Sequence, residues 1–296
     1  MIIVQLRGGL GNQMFQYAFG RYLSLKRNTT LVLDTSFLQS KLPIKRLATQ
    51  MQYELHIFNV QAALKTNLFS SNMLLYPLAK AEYMIREKIN SRRYQLVRET
   101  DFPFHPEFLH IDDNSYLIGN FQSEQYFKQV EQDIRKDFSF NHEMDHENLQ
   151  WKNKIEQCNA VSLHVRRGDY LSIAKNAQKF AAVPLSYYQQ AVKLIGNQMP
   201  DAQFFIFSDD IGWVKENLKI DAKVHFVQNN HTKAAAYMDM RLMSLCRHNI
   251  IANSTFSWWA GWLNGYPDKI VISPAKWFED SSINSKDIYP SEWIKL

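Results

Sequence analysis

Cysteine is scarce in this 296-residue chain. It has two, Cys158 and Cys246, so no disulfide framework can define the fold. No segment approaches the ~18 consecutive apolar residues of a membrane-spanning helix. The opening residues, Met1 to Arg7, have neither the basic lead nor the apolar core of a secretion signal. Together these absences predict a soluble cytoplasmic protein. Charge of one sign is also limited: 34 Lys+Arg against 29 Asp+Glu leave +5. That balance does not call for nucleic acid. It suits a phosphorylated ligand, or peripheral contact with an anionic membrane surface. Glycine is sparse at ten residues, and three of them fall within Gly8, Gly9 and Gly11.

What is present is apolar and aromatic, 46% and 14% of the chain. That is ample for two packed domains. Ile2–Leu6 predicts a strand, Gly8-Gly9-Leu10-Gly11-Asn12-Gln13 a turn, Gln13–Lys26 a helix and Thr30–Asp34 a second strand. Glycines at such a turn let backbone amides approach an anion. Gly9-x-Gly11 with Asp34 resembles part of a dinucleotide fingerprint, but Met14 stands where its third glycine belongs. Further on, the pattern predicts a helix over 73–90, strands at Tyr94–Val97 and Tyr116–Ile118, and a largely helical stretch from Phe121 to Phe138.

His142-Glu143-Met144-Asp145-His146 matches the H-E-x-x-H zinc pattern. The stretch around it is polar throughout and no third ligand follows. It therefore reads as a solvated connector, with the domain boundary placed near it, at 150. Beyond it, strand and helix alternate: Ala160–Val165, Leu185–Gln198, Gln203–Phe207, Gly212–Leu218, Lys223–Val227, Ala234–Arg247, Asn249–Ala252 and Lys269–Ile272. This alternation predicts a parallel, doubly wound sheet.

In such a sheet, ligands bind at the carboxyl ends of the strands. Three loops fall there. His164, Arg166, Arg167 and Asp169 bring positive charge and its orienting partners. Ser208, Asp209 and Asp210 bring acceptors for a base or ribose. Asn253, Ser254, Thr255, Phe256 and Ser257 open a helix, whose N-terminus favours an anion. Singly, each has an ordinary explanation: Asp210, Ser254 or Thr255 could cap a helix. Together they describe a nucleotide-diphosphate site. The chain contains no Asp-x-Asp, the motif with which many glycosyltransferases hold a divalent ion, so arginine charge is expected to replace the metal.

The segments Gly8–Ala18, His164–Tyr170, Phe207–Asp210 and Asn253–Asn264 resemble, in order, those of the bacterial α-1,2-fucosyltransferases of glycosyltransferase family 11. The resemblance implies an α/β, GT-B-like fold. Two Rossmann-like domains, 1–150 on the acceptor side and 151–296 binding the donor, would face a cleft. It implies an inverting transfer of fucose from GDP-fucose to the 2-hydroxyl of a terminal galactose. The acceptor would be a glycan or glycolipid of surface polysaccharide or O-antigen synthesis, with no metal and no cofactor. It points to Arg167 as the β-phosphate ligand, helped by Ser254 and Thr255. Asp209 or Asp210 would read guanine. Gly9, Gly11 and Asn12 would reach the donor from the first domain. Asp169, His164 or a first-domain carboxylate would take the acceptor's proton. Since neighbours on an extended segment point to opposite sides, Arg166 is expected to pair with an acid of its own domain. Two other readings of the same residues are an NAD-dependent oxidoreductase built on Gly9-x-Gly11 and Asp34, and a non-catalytic glycan-binding protein using the aromatic residues.

Overall fold

The computed structural model describes residues 1–39, 52–65, 90, 92–167, 183–230, 232 and 235–296. The expected helix over 73–90 lies outside them but for Asn90, and Asp169 lies outside them too. The chain divides into two units. The first takes Met1–Asn141 with Asn284–Pro290, and the second His142–Ile283 with Ser291–Leu296.

The first unit contains β1 (Ile2–Gln5), α1 (Leu10–Lys26), β2 (Leu31–Asp34), α2 (Ser36–Gln39), β3 (Ala63–Lys65), β4 (Gln95–Arg98), β5 (Ser115–Ile118) and α3 (Glu131–Asp137). Its sheet runs β3-β2-β1-β5-β4, parallel throughout. β1 is buried at every position, as its Ile-Ile-Val run and the parallel neighbours on both sides require.

Two expectations change here. α1 starts at Leu10 with Gly9 as its N-cap, so Gly11 and Asn12 form its first turn instead of a loop. Only Gly8 needs glycine's freedom: its φ is +75°, and an added Cβ would strike Asn12 Nδ2. The turn is held by glutamines. Gln16 accepts from the Arg7 amide at 3.0 Å and donates to the Gly119 carbonyl at 3.1 Å, while Gln13 donates to the Gly8 carbonyl at 3.0 Å. Second, Phe121–Phe138 is largely helical, as expected, but is broken into three short pieces. Phe121 sits at φ +52°, and 3-10 turns at Glu124–Tyr126 and Lys128–Val130 precede α3. Glu99 accepts from the Asn120 and Phe121 amides at 2.6 and 2.9 Å. The Phe121 ring packs on Phe19 at 4.7 Å and on Tyr126 at 5.8 Å. Burying that ring outweighs the modest helical preference of the segment.

The second unit contains α4 (His146–Glu156), β6 (Ala160–Val165), α5 (Leu185–Gln198), β7 (Gln203–Ser208), α6 (Ile211–Asn217), β8 (Lys223–Phe226), α7 (Tyr237–Leu245), β9 (His248–Ile250), α8 (Thr255–Leu263), β10 (Val271–Ser273) and β11 (Ile294–Lys295). The sheet order is β11-β10-β9-β6-β7-β8, again parallel throughout. β11, a two-residue strand after a long irregular segment, extends the expected series. The polar connector runs into a helix: Asp145 caps α4 by accepting from the Asn148 amide at 2.8 Å. The division therefore falls at Asn141/His142, ahead of the expected 150. His142 precedes α4 and His146 opens it, so they do not share a helical face. Among the described residues no group of three His, Cys, Asp or Glu could hold a metal ion. Among them, too, no helix is long and apolar enough to cross a membrane.

α8 is fixed at its far end. Lys269 Nζ donates to the carbonyls of Gly261, Trp262 and Asn264 at 2.9, 3.2 and 2.8 Å. A cation there satisfies the helix's terminal acceptors and opposes its dipole. Trp258, Trp259 and Trp262 are buried along the helix. Lys269→Met should cost about 1.5–3 kcal/mol, the usual range for losing charged hydrogen bonds. Urea unfolding measures it, and an unchanged midpoint would contradict the assignment.

Candidate functional site

The strand order of the second unit reverses at β6. The chain runs outward through β7 and β8, then returns to lay β9 on the other side of β6. The gap between β6 and β9 is thus the topological switch point, where parallel sheets bind ligands. Leu163 pairs with Ile250 across it, and Val165 pairs with Ser208 on the other flank. The loops after β9, β6 and β7 accordingly lie side by side on one edge.

Side chains along β6 alternate between two faces. Val161, Leu163 and Val165 join the apolar cluster containing Tyr187, Tyr188 and Ile195 of α5. On the opposite face, Ser162 Oγ accepts from Asn249 at 2.7 Å, and the His164 ring lies 5.9 Å from that of Phe256 in the first turn of α8. His164 is 4% exposed, and its Nδ1 has no partner among the described residues. Burial, and then the Arg166 charge, push its pKa down to about 3. It is therefore neutral at physiological pH and too weak a base for the role expected of it. It remains a neutral hydrogen-bonding group beside α8.

α8 begins at Ser254, which is 8% exposed. The Ser254 side chain makes no capping hydrogen bond, and the first turn has no acid. The amides of that turn and the hydroxyls of Ser254 and Thr255 thus form an anion-favouring end at the switch point. Asn253 serves differently: it is buried and donates to the Trp277 carbonyl at 3.0 Å, anchoring the loop. Ser208 also acts within its own turn, accepting from the Asp210 amide at 3.0 Å.

Both arginines meet acids of their own unit, which is expected of Arg166 alone. Arg166 Nε lies 3.1 Å from Asp209 Oδ2, and Arg167 Nε lies 3.5 Å from Asp210 Oδ2. Asp209 Oδ1 accepts from the Arg167 amide at 2.9 Å, and Asp210 caps α6 by accepting from the Trp213 amide at 3.2 Å. The Arg167 guanidinium also stacks on the Trp213 ring, 3.3 Å from its centroid. The acidic pair therefore holds the arginine loop and the helix start. Arg166 continues the face of His164 and α8. Arg167 continues the opposite face and is enclosed against α6, its side chain 18% exposed against 32% for Arg166. Arg166 thus pairs with an acid of its own unit, as expected, and Arg167 does so too.

Sequence reasoning missed Asp239. It lies in the first turn of α7, which starts at the same edge of the sheet and packs on α8. Asn230 Nδ2 donates to its Oδ1 at 2.7 Å, and Asn148 and Asn230 bond each other at 2.9 and 3.1 Å. A lone aspartate in a Met-rich helix carries no motif, so no sequence signal marked it.

In the first unit, Asp34 is 1% exposed and fully engaged. It accepts from the Ser36 amide at 2.9 Å and the Tyr116 hydroxyl at 3.0 Å, and pairs with Lys65 at 3.8 Å. A carboxylate bound in this way is not presented to a ribose, which removes the basis of the oxidoreductase reading. Asn12 accepts from Gln122 at 2.7 Å.

An architecture of two parallel α/β sheets with a diphosphate-type edge belongs to the GT-B class of glycosyltransferases. The chain is a member of glycosyl transferase family 11, whose model matches residues 1–296. It is 32% identical to the O-antigen biosynthesis glycosyltransferase WbnK of Escherichia coli, over 98% of this chain and 99% of that protein. It is also 32% identical to an Escherichia coli alpha-1,2-colitosyltransferase, over 100% of this chain and 99% of that protein. Among solved structures, a mutant of Arabidopsis thaliana FUT1 in complex with GDP aligns with TM-score 0.50 and 11% identity, covering 91% of this chain and 69% of that one.

Burial raises the Asp239 carboxyl to about 7. An acid whose folded pKa is raised destabilises the fold as it ionises. The penalty is absent below its unfolded value of about 4 and complete once pH passes the folded value. Asp239→Asn should therefore stabilise the protein at pH 8 by roughly 4 kcal/mol, and by almost nothing at pH 4. Unfolding curves at both pH values test this, and an equal difference at each would contradict it.

Proposed function

We propose that the protein transfers fucose from GDP-fucose to the 2-hydroxyl of a terminal galactose, with inversion, in the synthesis of a surface polysaccharide such as O-antigen. The observation that carries this reading is the start of α8, where Ser254 makes no capping bond, at the β6/β9 switch point, with Arg166 on the loop that leaves β6. The β-phosphate sits at the α8 amides with Ser254 and Thr255, and Arg166 opposes its charge. As the C1–O bond breaks, charge grows on the departing GDP, and donors fixed in advance at that oxygen lower the barrier. The guanidinium supplies this without a metal ion. Guanine presents N–H donors, and Asp239 is the carboxylate that meets them. Among the described residues, the oxygen not bonded by Asn230 has no donor. The galactose hydroxyl attacks the opposite side of C1 and gives its proton to a carboxylate.

A second donor is favoured by the likeness to an alpha-1,2-colitosyltransferase. Colitose is fucose without its 3-hydroxyl, so the same diphosphate site serves either sugar. Transfer assays with GDP-fucose and GDP-colitose on several galactosides, with linkage analysis and excess EDTA, decide the matter. Transfer from GDP-fucose to O2 that survives EDTA is expected. Activity restored only by Mn²⁺ or Mg²⁺, or linkage to another hydroxyl, would overturn the reading.

The two arginines should separate in kinetics. Arg166→Ala should lower kcat on the order of 10²–10³-fold, as losing a transition-state donor does. Arg167→Ala should mainly lower the melting temperature, through loss of its stack on Trp213. Steady-state kinetics and thermal melts check both, and the reverse pattern would restore Arg167 as the phosphate ligand.

A further inference from the structure

We infer that Asp209 is a positioning residue for Arg166, acting through the guanidinium and never touching the nucleotide. This rests on the diphosphate reading above. Asp209 ends the neighbouring strand β7, directly beside the end of β6, because Val165 pairs with Ser208. From there its two oxygens clamp consecutive residues of the β6 loop. Oδ2 lies 3.1 Å from Arg166 Nε, and Oδ1 accepts the Arg167 amide at 2.9 Å. One contact fixes the side chain and the other fixes the backbone that carries it. A carboxylate at Nε sets the orientation of the planar guanidinium, whose terminal amino groups form the edge that matches a phosphate.

The clamp is reinforced from behind. Asp210 holds Arg167 and the start of α6, and Arg167 lies flat on Trp213. The acid–arginine pairs thus tie the ends of β6 and β7 together, while α8 faces β6 from the other side of the switch point. Asp209 is therefore a part of the arginine's geometry, which sequence alone presents as a separate acceptor.

This assignment predicts a particular pattern of loss. Asp209→Asn keeps an acceptor for the Arg167 amide but removes the charge at Nε. It should lower kcat at least tenfold, change the donor KM less than threefold, and leave the preference for GDP over ADP intact. Asp209→Glu should recover part of the rate. In an Arg166→Lys background, Asp209→Asn should cost little more, because there is no fork left to orient. Chemical rescue separates orientation from folding: guanidinium ions should restore activity to Arg166→Ala, and fail to do so in Arg166→Ala/Asp209→Asn. If Asp209→Asn does not fold, the Asp209→Glu kinetics and Arg166→Ala rescue compared with Arg166→Ala/Asp209→Glu carry the test.

Calorimetry with GDP on the parent protein keeps the two proposals apart. A parent that binds no GDP fails the diphosphate reading. A parent that binds GDP while Asp209 and Arg166 substitutions multiply independently overturns the positioning role. Relaxed discrimination against ADP in Asp209→Asn would also overturn it, returning Asp209 to the nucleobase.

Discussion

A strand with parallel neighbours on both sides and packed layers on both faces can present polar groups to a ligand only at its ends, and in a parallel sheet ligands bind at the carboxyl end. β6 is such a strand, buried at all six positions. Every functional feature of the second unit follows from that constraint. The loop leaving β6 must turn at once, and the chain places two arginines in that turn. The register with β7 sets two aspartates beside them. The return of the chain to β9 sets the start of α8 on the other flank. Charge, countercharge and helix amides thus meet at one edge because the strand order reverses there.

The arrangement also shows how the protein accommodates two adjacent cations. Two neighbouring guanidiniums repel each other, and each is matched by its own carboxylate at Nε. Ion pairs open to solvent contribute little stability, and these are only half-buried. Their use here is geometric, since they fix the loop. The buried polar groups around them are of another kind. His164 is held neutral by burial, and Asp239 has its pKa raised towards neutrality. Perturbed groups of this sort gather where a site needs them more than the fold does.

Much of this was legible in the sequence. The span Leu185–Gln198 matches α5 residue for residue, since its apolar period is clean and Pro184 precedes it. The apolar run of β6 and the strand–helix alternation gave the parallel sheet. The three polar loops were placed at one edge of that sheet from the strand pattern, and they lie there. What failed depended on contacts distant in sequence. The pairing of Arg166 with Asp209 spans the β6/β7 register, and the burial of Phe121 depends on Phe19 and Tyr126. α4 hid behind polar residues because Asn148 is buried by hydrogen bonds to Asp145 and Asn230, not by apolar contact. The glycine turn was read one helical turn too long because Gly11, a poor helix former, lies inside α1.

The central claim is that a nucleoside diphosphate seats at the start of α8 beside Arg166. Titration of the ¹⁵N-labelled protein with GDP, followed by amide NMR, tests it most directly. The account predicts that the Thr255, Phe256 and Ser257 amides and the Arg166 side chain shift most and saturate together. Saturating shifts confined to Gly9–Asn12, the other helix start that follows a strand, would contradict it.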